Sequence, residues 1–270
     1  MIFQAHKGVS CENPENTMPA FAAAAQQGYK IIELDVAVTK DLKFVLIHDS
    51  TINRTARCKN GKLIAKAIKI SDITYCEALE YDFGIWFSKK FKGTKIPLFE
   101  EVLKFARENS LKLKIDNKYQ NFTIEQRKAF FEILSPYQDV ACLTCSSVEE
   151  IKSAVDTFPQ MHFHYDGLVT VENLEKLSTI LPKERLTVWL PHKNPNTSWV
   201  KVEFASEKLS DLVKKHASLG IWILSNISQL DEAKKLGADV IETNGQLKPN
   251  LNKTMEFIFL QKDGSEHLHF

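Results

Sequence analysis

The chain has 270 residues, 44% of them hydrophobic and 26% charged, the composition of a globular protein of one large α/β domain or two ordinary ones. Thirty-five Lys and Arg against 34 Asp and Glu leave a formal charge of +1, which indicates neither a nucleic acid nor an anionic membrane as partner. No stretch approaches the ~18 apolar residues of a membrane span. Residues 1–6 lack the basic start and apolar run of a signal peptide, so a cytoplasmic protein without a transmembrane segment is expected.

Short apolar runs alternate with amphipathic segments along most of the chain. Ile2 to Ala5 reads as a strand and Thr17 to Gln27 as a helix, with Pro19 in its first turn and Gly28 closing it. Strand Lys30 to Asp35 follows, then helix Leu98 to Glu108 and strand Leu111 to Asp116. Helix Ile124 to Leu134 precedes strand Val140 to Thr144, and helix Val148 to Val155 precedes strand Met161 to His164. Leu174 to Ile180 leads into Leu186 to Leu190, Ser206 to Ala217 into Ile221 to Leu224, and Ser228 to Leu236 into Asp239 to Thr243. Strands that alternate with helices imply a parallel sheet. About eight such units suit a (β/α)₈ TIM-type barrel of residues 1–250, followed by a C-terminal extension over 251–270. The rival, a doubly wound open sheet, usually carries G-x-G-x-x-G after its first strand, and this chain does not.

Residues 51–97 break the rhythm and carry Phe83, Trp86 and Phe87. They read as an insertion after the second strand, over the substrate side of the barrel. The five cysteines are odd in number and scattered, which argues against a disulfide framework. Cys142 and Cys145 have the spacing of a redox or zinc pair, but without a second pair they read as small residues at a strand end.

Barrel enzymes work at the C-terminal ends of their strands. His6 ends the first strand, and Glu33 and Asp35, two residues apart on the second, share one face. Two inward carboxylates are costly unless paired, protonated or bound to a cation. Hard oxygen ligands of this kind suit Mg²⁺ or Ca²⁺. His48 follows the apolar run Phe44 to Ile47 and precedes Asp49, which can orient its ring. Two histidines beside two carboxylates supply a general acid/base pair near neutral pH together with a metal site. A metal-assisted acid/base enzyme is the expectation.

The sequence resembles the glycerophosphodiester phosphodiesterase family. The residues that carry the resemblance are Ala5-His6-Lys7-Gly8, Pro14-Glu15-Asn16-Thr17 with Ala20-Phe21, Glu33-Leu34-Asp35-Val36 with Thr39 and Asp41, and Val45 to Asp49. Arg54-Thr55, Trp86-Phe87 and Ile96 to Leu103 continue it, and Trp222 and Thr243-Asn244 are its faint later marks. The resemblance implies a barrel with an inserted subdomain and hydrolysis of glycerophosphodiesters to glycerol 3-phosphate and an alcohol. It further implies His6 and His48 as acid/base residues and Glu33 and Asp35 as metal ligands. A lyase that stops at a cyclic phosphate and a non-catalytic phosphodiester-binding barrel are the alternatives.

Three positions depart from the family pattern. Lys7 stands where Arg is usual, exchanging a planar fork for a point charge on the phosphate. The usual Asn-x-Glu-x-Lys is Lys114-Ile115-Asp116-Asn117-Lys118, which makes Asp116 the third expected metal ligand and Lys118 a phosphate contact. Lys114 is then expected inside the barrel, paired with Glu33 or Asp116 and supplying part of the metal's charge. Asn244 replaces the frequent Asp. Trp222 and Trp86 are expected as walls for the substrate's glycerol or alcohol group.

Overall fold

The computed structural model describes residues 1–249; the expected extension over 251–270 lies outside them. Eight parallel strands close a barrel: β1 (Ile2–His6), β2 (Ile31–Leu34), β3 (Lys112–Ile115), β4 (Ala141–Cys145), β5 (His162–Tyr165), β6 (Leu186–Pro191), β7 (Ser218–Leu224) and β8 (Val240–Thr243). Each pairs with its sequence neighbours, and β8 returns to β1 with Gln4 opposite Glu242 and Ala5 opposite Thr243. All eight expected strands are present within a few residues of their expected ends.

Seven helices follow the strands: α1 (Met18–Gln26), α2 (Phe99–Glu108), α3 (Ile124–Leu134), α4 (Val148–Thr157), α5 (Val171–Ile180), α6 (Glu207–His216) and α7 (Ile227–Lys235). In α2, Phe99, Val102, Leu103 and Ala106 recur at helical spacing and are buried against the barrel. Thr123, Ser147, Thr170, Ser206 and Asn226 cap the starts of α3 to α7, each accepting a hydrogen bond from the third residue of its helix. Such a cap contributes about 1 kcal/mol. The Thr170 cap sets the start of α5 three residues before the expected Leu174, because Val171 and Glu172 are exposed and carry no apolar period.

The excursion between β2 and α2 is wider than 51–97. It opens with an antiparallel hairpin, Val36–Val38 against Phe44–Leu46, whose alternation reads in sequence like another piece of barrel. A second small ladder joins Arg57–Cys58 to Tyr81–Asp82. The excursion has its own apolar cluster, centred on Val45, Ile47, Ile52, Phe83 and Ile96, distinct from the core between barrel and helices. Leaving from the C-terminal end of β2, it stands on the face where barrel sites form.

Candidate active site

The loop after β1 turns at Lys7 and Gly8, both at positive φ (58° and 79°). A Cβ at Gly8 would lie 2.7 Å from the Ala20 backbone, so only glycine lets this turn seat against α1. The turn aims the Lys7 amide at Glu33, whose Oε2 accepts it at 3.0 Å. Register sets His6 beside Glu33 on β2 and Glu33 beside Lys114 on β3. The remaining acid, Asp116, follows the end of β3.

These residues share one cavity of about 620 Å³ at the C-terminal mouth. It brings together His6, Lys7, Glu33, Asp35, His48, Asp116, Lys118 and Trp222 of the expected site. Trp86 is not among its lining residues. Its indole donates to the Phe83 carbonyl at 3.0 Å and packs edge-on to Phe87, so it anchors the insertion.

Carboxylate oxygens of Glu33, Asp35 and Asp116 all lie within 4.8 Å of one another. Burial first, and then repulsion from Asp35, push Glu33 well above the usual carboxylate range and raise Asp116 as well. Asp35 behaves differently. Burial opposes its ionisation, but Lys118 and Lys7 outweigh that and bring it down to about 2. Lys118 Nζ donates to Asp35 Oδ1 at 2.5 Å and to the His48 carbonyl at 2.9 Å, from a 3₁₀ turn rather than from strand β3 as its spacing suggests. Asn16 holds the other oxygen of Asp35 at 2.7 Å. An all-oxygen set with mutually repelling charges is chemically matched to a hard divalent cation.

The histidines are oriented by different partners. His6 Nδ1 lies 2.6 Å from Asn244 Oδ1, and its Nε2 is 3.8 Å from Glu33. Burial lowers its pKa. His48 Nδ1 lies 2.7 Å from Asp49, whose carboxylate is also held by Arg54 at 2.7 and 3.0 Å. Arg54 reaches Glu15 as well, through two bonds of 2.8 Å. One guanidinium thus fastens the insertion and His48 to the loop after β1, a bidentate use to which lysine is unsuited.

Lys114 departs from expectation. Its ammonium pairs with Glu242 Oε2 at 3.3 Å and lies 4.2 Å above the Trp189 ring, instead of pairing with Glu33 or Asp116. Glu242 also accepts from Gln4. A Cβ at Gly220 would strike the Trp189 ring at 2.5 Å, so this glycine on β7 makes the room that Trp189 needs. Glu242, Trp189, Asp166 and Trp199 complete the cavity and were not singled out from sequence. For Glu242 the signal is an acidic residue inside the otherwise apolar run Val240-Ile241, two residues from Asn244.

Comparison with known proteins agrees with this architecture. The profile of the Glycerophosphoryl diester phosphodiesterase family matches residues 6–141. The chain belongs to that family. A glycerophosphodiester phosphodiesterase from Bacillus altitudinis is 30% identical over 187 residues, covering 59% of this chain and 73% of its own. A Bacillus subtilis putative glycerophosphodiester phosphodiesterase, YhdW, is 41% identical over 104 residues, but the match spans only 38% of this chain and 40% of that relative. In fold, the chain is similar to a phosphodiesterase from Oleispira antarctica solved with the product sn-glycerol 3-phosphate. The TM-score is 0.73 at 19% identity, over 95% of this chain and 97% of the other. No helix among the described residues is long and apolar enough to cross a membrane.

Proposed function

We propose that the chain hydrolyses glycerophosphodiesters to glycerol 3-phosphate and an alcohol. The observation that carries this reading is one cavity in which two separately oriented histidines accompany the clustered carboxylates of Glu33, Asp35 and Asp116 and the ammonium groups of Lys7 and Lys118. Glu33, Asp35 and Asp116 would hold one Mg²⁺ or Ca²⁺, which when bound polarises a phosphoryl oxygen and acidifies a coordinated nucleophile. Lys7 and Lys118 stand on the same cavity as point charges for the phosphate.

The two ring partners divide the proton work. Asn244 Oδ1 accepts the Nδ1 proton of neutral His6 and leaves the Nε2 lone pair toward Glu33, so His6 is suited to take the nucleophile's proton. Asp49 sets a carboxylate against His48 Nδ1, which complements an imidazolium, so His48 is suited to protonate the departing alkoxide. Trp222 would flank the glycerol or alcohol group. The nucleophile is water, or the substrate's own glycerol hydroxyl in a first cyclising step.

The test is to incubate the protein with glycerophosphocholine, glycerophosphoethanolamine and glycerophosphoglycerol, each with Mg²⁺, Ca²⁺ or chelator. Release of glycerol 3-phosphate that chelator abolishes is expected. Accumulation of a cyclic glycerol phosphate would instead make the chain a lyase. No turnover by folded protein would leave the binding role.

A further inference from the structure

The overall charge of +1, which by itself points to no polyanionic partner, is an average over two unequal parts. Residues 51–97 carry ten Lys and Arg against four Asp and Glu, a net of +6, and the rest of the chain is −5. Two runs within the insertion, Lys59 to Lys69 and Lys89 to Lys95, hold four lysines each and no acid. Among the described residues only Lys59 of these eight makes an ion pair, with Glu80, while Lys90 acts on Glu12 at longer range. Lys62, Lys66, Lys69, Lys89 and Lys92 are exposed. A cluster of like charges repels itself, and a surface that keeps one is matched to an anion supplied from outside.

The first run is not a slack loop. Asn53 Nδ2 donates to the carbonyls of Ile64 and Lys66 at 3.2 and 2.8 Å, and its Oδ1 accepts from the Ile68 amide at 2.9 Å. These bonds hold the segment in which Leu63 stands 73% exposed between Lys62 and Lys66. The second run lies close by: a Cβ at Gly61 would come within 3.3 Å of Ile85, just before the edge-on pair of Phe87 and Phe91. Apolar exposure is as uneven as the charge. Ten large apolar side chains are exposed among the described residues, and only Met1 and Ile2 stand at the N-terminal end of the barrel. The other eight, Leu63, Leu168, Trp199 and Val202 among them, lie in the excursion after β2, in the loops after β5 and β6, or at the first residue of a helix, all on the mouth side. Apolar residues scattered singly need no explanation, but their confinement to one end beside unpaired lysines marks an interaction face.

We propose that this face docks on an anionic lipid bilayer, with the insertion's lysines against the headgroups, Leu63 pressed between them and the cavity mouth turned to the membrane. A nucleic acid would answer the charge alone. A bilayer answers the charge and the exposed hydrocarbon together, since peripheral binding adds buried apolar area to electrostatic attraction. Lysine suits this place, because its ammonium stays among the headgroups while its stem covers apolar surface. Each lysine near an anionic leaflet strengthens the partition about fivefold, and the attraction fades within a Debye length. Docking of this kind does not depend on which reaction the cavity performs.

The experiment sediments the full chain, at low salt, with vesicles of phosphatidylcholine alone and with vesicles in which a third of the lipid is phosphatidylglycerol. Partitioning onto the mixed vesicles is expected to be at least ~20-fold stronger, and about 0.5 M NaCl should remove most of that gain. Lys62→Glu, Lys66→Glu and Lys69→Glu, made together, should weaken binding to mixed vesicles by at least ~20-fold. Lys30→Glu, Lys215→Glu and Lys235→Glu, made together at exposed sites on the opposite end of the barrel, give the same net charge and should stay within about threefold of the parent. Leu63→Asp alone should cost about fivefold or more. All seven sites are exposed, so melting temperatures should match the parent's. Equal binding to both kinds of vesicle, or to neither, would overturn the proposal. So would equal losses in the two triple variants, which would make net charge responsible, or binding that survives the changes in the insertion, which would place the contact elsewhere. Binding to double-stranded DNA that is tighter than to mixed vesicles and indifferent to Leu63→Asp would assign the lysines to nucleic acid instead.

Discussion

At the mouth of the barrel, Glu33 and Asp116 face each other across a few ångströms, and burial drives both pKa values upward. One layer down, Glu242 is just as buried, yet its pKa is lowered: burial opposes ionisation, and Lys114 and His6 overcome it. The lower layer pairs its own charges, although Gln4 Oε1 and His164 Nε2 are buried there without a hydrogen-bond partner. Lys114 has Glu242 and the Trp189 face, Trp189 donates to His164 Nδ1 at 2.9 Å, and His162 meets Thr187 at 2.9 Å. The upper layer keeps an excess of negative charge that invites a cation or a phosphate group escorted by one. The lower layer is charge-paired and the upper one is not, and functional sites are where such local consistency is given up.

Four perturbations probe this contrast, and the largest effects belong to the mouth. His6→Ala and His48→Ala should each lower turnover by ~10²-fold or more. Their melting temperatures should move little, because both rings sit at the open end of the barrel with partners on loops. Near-normal kcat in either variant would remove that histidine from the proton transfers proposed above.

The matching change in the lower layer should be structural. Lys114→Met leaves Glu242 buried with only Gln4 as partner, at a cost of about 3–5 kcal/mol. Changing Glu242→Gln in the same chain should recover most of that loss, since the uncompensated charge is then gone. If denaturant unfolding shows the double variant no more stable than Lys114→Met, the pair is not the unit it looks to be. Should Lys114→Met instead unfold normally but lose activity, the lysine acts on the mouth after all.

A smaller effect comes from the buried imidazoles. Burial, aided by Lys112 and Arg185, lowers His162 to about 4, and burial also holds His164 well below the ordinary value. In the unfolded chain both titrate near 6.5. Between about pH 4 and 6.5 the unfolded state therefore binds more protons, and stability falls as pH drops through that window. It is fully present above 6.5, and His162 alone amounts to roughly 3 kcal/mol at the acid end. Urea titrations from pH 4 to 7 should show a shallower acid loss in His162→Gln than in the parent protein. Parallel curves would mean that the ring is hydrated or protonated in the folded state.

What the sequence discloses follows the same division. Strand order, closure, the histidine ending β1 and the carboxylates at the ends of β2 and β3 are legible because period-two alternation and strand ends are local features. Pairings across the barrel are not local. Lys114 and Glu242 are 128 residues apart, and nothing near either names the other. Alternation places Lys114 inward, but only closure brings β3 and β8 to face each other. The spacing of Lys114, Asp116 and Lys118 continues the alternation of β3, whereas the chain tightens into a 3₁₀ turn after Asp116. Trp86 carries no local sign that its indole is committed to Phe83. The hairpin from Val36 to Leu46 looks like barrel because Val36, Val38, Phe44 and Leu46 join the main core, though it pairs in a sheet of its own.

The smallest expected effect has the opposite sign from the lysine change and is therefore the sharpest contrast. Glu33→Gln removes a charge that burial, Asp35, Glu242 and Asp116 all disfavour, with Lys114 only partly offsetting them. An amide oxygen in place of Oε2 can still accept from the Lys7 amide. In chelator, this variant should be more stable than the parent by about 1 kcal/mol, a rise in melting temperature of roughly 2–4 °C for a chain of this size. With Mg²⁺ or Ca²⁺ the order should reverse, because the parent alone offers three anionic ligands, and a ligand bound only by the folded state adds its binding energy to stability. Melting curves of both proteins, with and without ion, decide the matter. A loss of stability in chelator comparable to that of Lys114→Met would show that Glu33 is internally compensated like Glu242, and the distinction between the two layers would collapse.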